Sequence, residues 1–309
     1  MKPLLERISS LTAFVDLQNE LAGGGRLARL GLIRSARLPV VAALSEATTR
    51  PILLLTQRRD RTLANFEELG LWSPQAERLF FPEPSSLFYE NAPWSETARR
   101  ERLGVLARLA LPEASKPPVI LASARAIMAR TLPKADFVRA SRNVDRGMRS
   151  EPLALAEQLV QMGYESASSV TAPGQFARRG GILDVWAMQD ELPSRLEFFG
   201  DEVDSLRRFD PASQRTVIEV EHLVLTPARE YLLGRASDLG LEAKELSEFH
   251  TPLLHPDSLG IFDYLPADAL ICIDDLEALN EQIGELETQA VALHAEGLES
   301  GALNHSQQN

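Results

Sequence analysis

Cysteine is nearly absent from this chain of 309 residues. Its one cysteine, Cys272, excludes an internal disulfide. Set inside Ala-Leu-Ile-Cys-Ile at 269–273, it reads as a buried strand residue rather than a nucleophile or ligand. Histidine is scarce too, and none of the five histidines has metal-ligating spacing. His250 and His255 lie near Glu248 and Asp257, but in a Pro- and Leu-rich stretch that reads as a loop. Neither a metal nor any other cofactor is expected. No apolar run is long enough to span a membrane, and no charged start leads into an apolar signal region, so a cytoplasmic protein without a membrane partner is expected. Positive charge is in short supply: 32 Lys and Arg against 44 Asp and Glu give a net −12. Nucleic-acid affinity comes mostly from cations on phosphates, so such a chain is a poor unaided DNA binder. The one locally basic stretch, Arg139–Arg149, has no interleaved aromatics for base stacking and is expected to be a solvated loop.

What is present is an ordinary apolar share of 44%, in a chain long enough for two compact units. Apolar runs at Pro51–Leu55, Pro118–Ala122 and Ala269–Ile273 suit strands buried on both faces of a parallel sheet. Between the first two lies a helix, capped by Ser95 and carrying Leu103, Leu106, Ala107 and Ala110 at helical spacing. Another follows Asp274-Asp275, with Leu276, Leu279, Ile283 and Leu286 on one face. The middle differs. Pro152 opens a helix through Leu155, Leu159 and Val160, Gly163 stops it, and strands dominate until Leu225–Arg229, which reads as an exit linker. The expected class is α/β: a parallel-sheet unit formed by 1–132 and 228–300, interrupted by an inserted α+β domain at 133–227. A frayed tail at 301–309 completes the expectation.

The most specific stretch runs from Pro173 to Thr216. Ile182–Trp186 is a short apolar run entered through Gly180-Gly181, and Arg195–Phe199 and Val203–Phe209 flank a turn at Gly200-Asp201. Side chains alternate along a strand, so Arg195, Glu197 and Phe199 share one face and Leu196 and Phe198 the other. Leu196 and Phe198 form the natural core face. An aromatic beside an arginine on the wetter face is the kind of pair that anchors protein interfaces. Residue type alone favours a blander alternative, with Phe199 in a second core layer and Arg195 a solvated partner of Glu197. The carboxylates Asp201, Glu202 and Asp204 cluster at the turn, where solvation rather than acid-base chemistry is expected.

Four blocks occur in order here: Arg-Gly-Gly-Ile-Leu-Asp, Arg-Leu-Glu-Phe-Phe-Gly-Asp-Glu, Leu-Arg-Arg-Phe-Asp and Ser-Gln-Arg-Thr. Together they resemble the interaction domain shared by UvrB and the bacterial transcription-repair coupling factors. Weaker similarity to the amino-terminal module of the coupling factors extends from about residue 25 to about residue 300. The resemblance implies a RecA-like unit with an inserted domain that binds UvrA in nucleotide excision repair. Matched position by position, the contacting arginines of the family fall on Arg179 and Arg195 and its contacting aromatic on Phe199. Full-length coupling factors are ATP-dependent DNA translocases that also engage RNA polymerase and DNA, through regions not matched by this sequence.

A motor of this lineage needs Gly-x-x-x-x-Gly-Lys-[Ser/Thr], whose amides wrap phosphate and whose hydroxyl holds magnesium. At the corresponding place stands Gly31-Leu-Ile-Arg-Ser-Ala-Arg37-Leu38, followed by Pro39. The second glycine and the Lys-Ser/Thr pair are missing, and Leu38 cannot ligate magnesium. Gly23-Gly24-Gly25-Arg26 also lacks a following Lys-Ser/Thr. A degenerate phosphate loop, no catalytic residues and a non-catalytic interaction module are therefore expected. The alternative is the front of an ATP-driven translocase whose motor lies in sequence beyond this chain.

Overall fold

The computed structural model describes residues 1–24, 30–111, 116–236 and 240–299. The tail at 301–309, and Gly25 and Arg26 of the glycine-rich stretch, lie outside the described residues. The chain divides into two compact units, one of Met1–Glu83, Ala114–Ile127 and Leu265–Thr288, the other of Pro84–Glu113, Met128–Tyr264 and Gln289–Asn309. The segment expected as the insert, 133–227, lies wholly inside the second, which also takes the helix Glu96–Ala110 and residues 228–264.

The first unit holds β1 (Ile52–Thr56), β2 (Arg78–Phe81) and β3 (Val119–Ser123). The second holds β4 (Arg142–Asp145), β5 (Glu165–Ser166), β6 (Gln175–Arg179), β7 (Ile182–Val185), β8 (Ser194–Phe199), β9 (Glu202–Phe209), β10 (Thr216–Glu219) and β11 (His222–Leu225). The chain then returns to the first for β12 (Leu270–Ile273).

In the first unit all four strands are parallel, in the order β12-β1-β3-β2. β1 and β3 are buried at every position, as continuous apolar runs covered on both faces must be. Each fully buried Leu or Ile there contributes about 1.5–3 kcal/mol. Leu38, Val41 and Leu44 from the helix Arg34–Ala47 close this core. Asp275 caps the helix Leu276–Glu299: its Oδ1 accepts from Ala278 N at 3.1 Å, and this bond lowers the carboxyl pKa.

In the second unit six strands run β10-β9-β8-β7-β6-β5, antiparallel except where β5 meets β6. Phe176, Leu183, Val185, Leu196, Val203 and Leu206 are all buried. The helix Pro152–Gln161 starts on its proline, and Gly163 at φ 86° turns the chain out while Tyr164 N bonds back to Leu159 O. Two sequence expectations need correcting. Arg139–Arg149 is no simple loop, because its centre forms β4, paired antiparallel with β11. The exit linker at Leu225–Arg229 is buried rather than loose: Thr226 and Ala228 are each 1% exposed.

The burial of Glu230, just beyond this segment, has an ionic reason. Arg102, on the helix Glu96–Ala110, donates to Glu230 Oε1 at 2.6 Å and Oε2 at 3.1 Å, with both side chains fully buried. The guanidinium also stacks 4.7 Å over Trp94. Such a pair repays its desolvation only through two-pronged geometry of this kind.

His250 closes the short helical turn Glu248–His250, and His255 follows the short helix Thr251–Leu254 as its C-cap, where a loop was expected. His255 is 1% exposed. Its Nε2 accepts from Leu232 N at 3.1 Å, which leaves Nδ1 to donate to Asp136 Oδ2 at 3.2 Å. Burial lowers its pKa, against the raising effect of Asp136. A lowered native pKa means that the folded state prefers the neutral ring. Its contribution is present above the unfolded value of about 6.5 and is lost as pH falls below it. The unfolding free energy of wild type should therefore drop more steeply below pH 6.5 than that of His255→Gln, in urea titrations at stepped pH. Identical slopes would contradict the neutral-ring assignment.

Candidate partner-docking site

Two-residue turns set the site. Arg179 pairs with Ile182 across Gly180-Gly181, and Phe199 pairs with Glu202 across Gly200-Asp201. Gly180 at φ 60° and Gly200 at φ 66° supply the left-handed backbone that such tight hairpins require. Both turns lie at the same end of the sheet, because β7 and β8 are joined at the other. The end is tightly packed: Phe198 N donates to Gly181 O at 2.8 Å, and a Cβ on Gly181 would sit 3.0 Å from Phe198 O. Any larger residue at 181 would push the first turn away from β8.

The alternation expected for β8 holds in part. Leu196 is fully buried and Phe199 is 83% exposed, while Phe198, expected on the core face with Leu196, is only half-buried. That value excludes a second core layer for Phe199. A bulge on β9 falls next to it, where the register moves from Glu197↔Ser205 to Phe198↔Val203 and leaves Asp204 unmatched. Ile182, 36% exposed, lies on the same face, since it is directly opposite both Arg179 and Glu197. Sequence reasoning had placed Ile182 only in a strand. The signal was available in its parity with Asp184, which shares the face of Arg195.

Arg195 does not partner Glu197. It forks onto Asp184, its cross-strand neighbour on β7, with Nε–Oδ1 at 2.6 Å and Nη2–Oδ2 at 2.7 Å. Its Nη2 also donates to Gln214 Oε1 at 2.8 Å, and its guanidinium carbon lies 4.6 Å from the centre of the Phe209 ring. The Asp184 bond raises the arginine pKa further. Glu197 is taken instead by Arg207 and by Ser205 Oγ. Arg179, by contrast, is exposed, and its guanidinium bonds the Ser168 carbonyl. The structure thus brings Arg179, Ile182 and Phe199 to one end of one face and sets Arg195 further along it, already held in place. Asp201 and Glu202 at the second turn are exposed, and Asp201 meets Arg149 only at 3.9 Å.

An exposed aromatic and an exposed arginine thus stand around two tight turns, on a sheet whose opposite face is core. The UvrB interaction domain family model matches residues 143–231, which span β5 to β11 and contain every residue of the site. Over those residues the chain is similar to the UvrB interaction domain. Its wider similarity is to a transcription-repair-coupling factor of Bacillus subtilis, 29% identical over 89% of this chain and 26% of that protein. A Myxococcus xanthus coupling factor is 35% identical over 71% of this chain and 19% of that protein. UvrABC system protein B of Thermotoga maritima is 27% identical over 66% of this chain and 32% of that protein. The chain spans less than a third of the length of each. The similarity to protein B supports a RecA-like reading of the parallel-sheet unit. No helix among the described residues is long and apolar enough to cross a membrane.

Solvent exposure separates the two faces of β8 energetically. Phe199→Ser should change unfolding free energy by no more than about 0.5 kcal/mol, because almost nothing is buried there. Leu196→Ala should cost about 2–5 kcal/mol. Urea unfolding of the two variants checks this, and comparable losses would refute the assigned parity.

Proposed function

We propose that this chain is a non-catalytic recruitment module of nucleotide excision repair, and that Phe199, Arg179 and Arg195 present one face of the inserted sheet to UvrA. The observation that carries the reading is Phe199. A large aromatic held 83% in water, at a turn fixed by backbone geometry, gives its own fold almost nothing. It gains by entering an apolar pocket on a partner, with Ile182 beside it as further apolar area. Arg179, exposed and bonded only to a backbone carbonyl, can exchange that bond for a carboxylate or carbonyl of UvrA. Arg195 brings less net charge, since Asp184 already neutralises it, and serves instead as an oriented donor whose Nη1 lies outside its internal bonds.

The phosphate-loop position supports the non-catalytic part. Arg37 stands where the lysine would be, and its Nη1 donates to Asp274 O at 2.7 Å and meets Asp275 Oδ2 at 3.3 Å. These bonds hold the cation on a backbone carbonyl and a carboxylate, and Leu38 beside it is buried and offers no metal ligand. The purified chain should release no phosphate from ATP above the buffer rate, with or without DNA. Magnesium-dependent turnover abolished by Arg37→Ala would sink this part of the proposal.

The structure also decides which variants test docking cleanly. Charge reversal at Arg195 would set a second carboxylate against Asp184, which is 6% exposed, and so confound folding with binding. Phe199→Ala and Arg179→Ala remove exposed groups instead. Each should weaken binding to purified UvrA by about 1–3 kcal/mol, read by calorimetric titration, with the thermal midpoint unchanged. Wild-type affinity in the double variant would refute the site.

A further inference from the structure

The Ser-Gln-Arg-Thr block at 213–216 is as specific as the rest of the docking segment, yet it contributes no side chain to the exposed cluster. Its role lies beneath Arg195. The turn after β9 is closed by paired backbone bonds, Asp210 N to Arg215 O at 2.9 Å and Gln214 N to Asp210 O at 2.8 Å. Asp210 Oδ1 accepts from both Ser213 N and Ser213 Oγ at 2.7 Å. This closure holds Gln214 at φ 59°, a left-handed conformation that a glutamine adopts only under constraint. The constrained backbone aims the side-chain amide. Its Nε2 donates to Pro211 O at 2.9 Å, which fixes which end is oxygen, and Oε1 then faces Arg195 Nη2 at 2.8 Å. Arg195 consequently sits in a three-walled cradle: the Asp184 carboxylate along one edge, the Gln214 amide at one corner, and the Phe209 ring under its plane.

We infer that Gln214 and Asp184 are positioning residues that hold the Arg195 guanidinium in one orientation, so that it presents its remaining N–H edge to the docking partner already ordered. The inference rests on the proposed docking face. It adds to that reading a reason for a strained, non-glycine residue in the turn. A long arginine side chain loses much rotamer freedom on binding, and a cradle formed beforehand removes that loss from the association step. It also fixes the chemistry that Arg195 can recognise. Its charge is already matched by Asp184, so the preferred acceptor is a neutral carbonyl, and Arg179 is left to meet any carboxylate.

Gln214→Gly separates the two roles that this turn could have. Glycine adopts a φ near 60° without strain, so the turn should survive and the thermal midpoint of the 309-residue chain should not fall. Affinity for UvrA should nevertheless fall about tenfold, the equivalent of one hydrogen bond to a charged group. In an Arg195→Gln background the same substitution should have no further effect on affinity. A fall in thermal midpoint that accounts for the weaker binding would make Gln214 merely structural and overturn the inference. So would a tenfold loss that persists in the Arg195→Gln background, since Gln214 would then act without Arg195. Phe199→Ala, measured alongside, distinguishes failure of the underlying reading. If it weakens binding and Gln214→Gly does not, only the positioning role falls. If Phe199→Ala binds as wild type, the docking face falls and this inference with it.

Discussion

Register across β7 and β8 is the constraint on which the rest of the second unit depends. Asp184 faces Arg195, Leu183 faces Leu196, and Ile182 faces Glu197. A slip by one residue would bring Arg195 to the core face and turn Leu196 out to water, because side chains alternate with period two. Burial of Leu183 and Leu196 opposes such a slip on one face. The fork between Asp184 and Arg195 opposes it on the other, as a bidentate pair tolerates little displacement. The two tight glycine turns fix the neighbouring registers, of β6 against β7 and of β8 against β9. With all three in force, Phe199 has nowhere to go but outward. The exposed aromatic is thus a consequence of how the sheet is pinned, and the proposed docking face needs no special strain at Phe199 itself.

A division of labour follows among the charged groups of the second unit. The buried pair of Arg102 and Glu230 acts inside, where both ions are removed from water and only close geometry offsets the cost. Burial raises the pKa of Glu230, and Arg102 opposes that rise. Arg195 occupies a middle position, 17% exposed in its side chain and held by three partners. Arg179 lies outermost, with a single carbonyl to hold it. Moving outward, charge passes from structural, through oriented, to available. In the proposed docking, such a surface would discriminate between partners by geometry near the cradle and by net charge only at its edge.

Much of this was legible in the sequence, and the parts that were not share a cause. Periodicity alone placed β1 and β3 as buried parallel strands, and parity alone put Phe199 opposite Leu196; β12 is parallel as expected but lies at the sheet edge, so Ile271 and Ile273 are exposed and Cys272 only half-buried. Local signals of this kind lie within a few residues of the structure they specify. The partner of Arg195 was missed because Glu197 is near in sequence while Asp184 is eleven residues away across a strand pair. Gln214 was quoted as part of a motif and given no role, since nothing local announces that its side chain reaches back to β8. The helix Glu96–Ala110 was expected with the parallel-sheet unit because it lies between that unit's strands in the chain. Arg102 on it instead pairs with Glu230, 128 residues on, in the second unit. Contacts between distant segments are what a single sequence conceals, and here they determine which arginine is held and which is available.

Hydrogen exchange of the chain's amides, with and without UvrA, tests the central claim most directly. The account predicts slowed exchange at both tight turns, over residues 179–182 and 198–202, and in the Gln214 turn that cradles Arg195. It predicts none over β12 or the helix Arg34–Ala47. Protection confined to those elements of the first unit, or no protection anywhere at saturating UvrA, would contradict it.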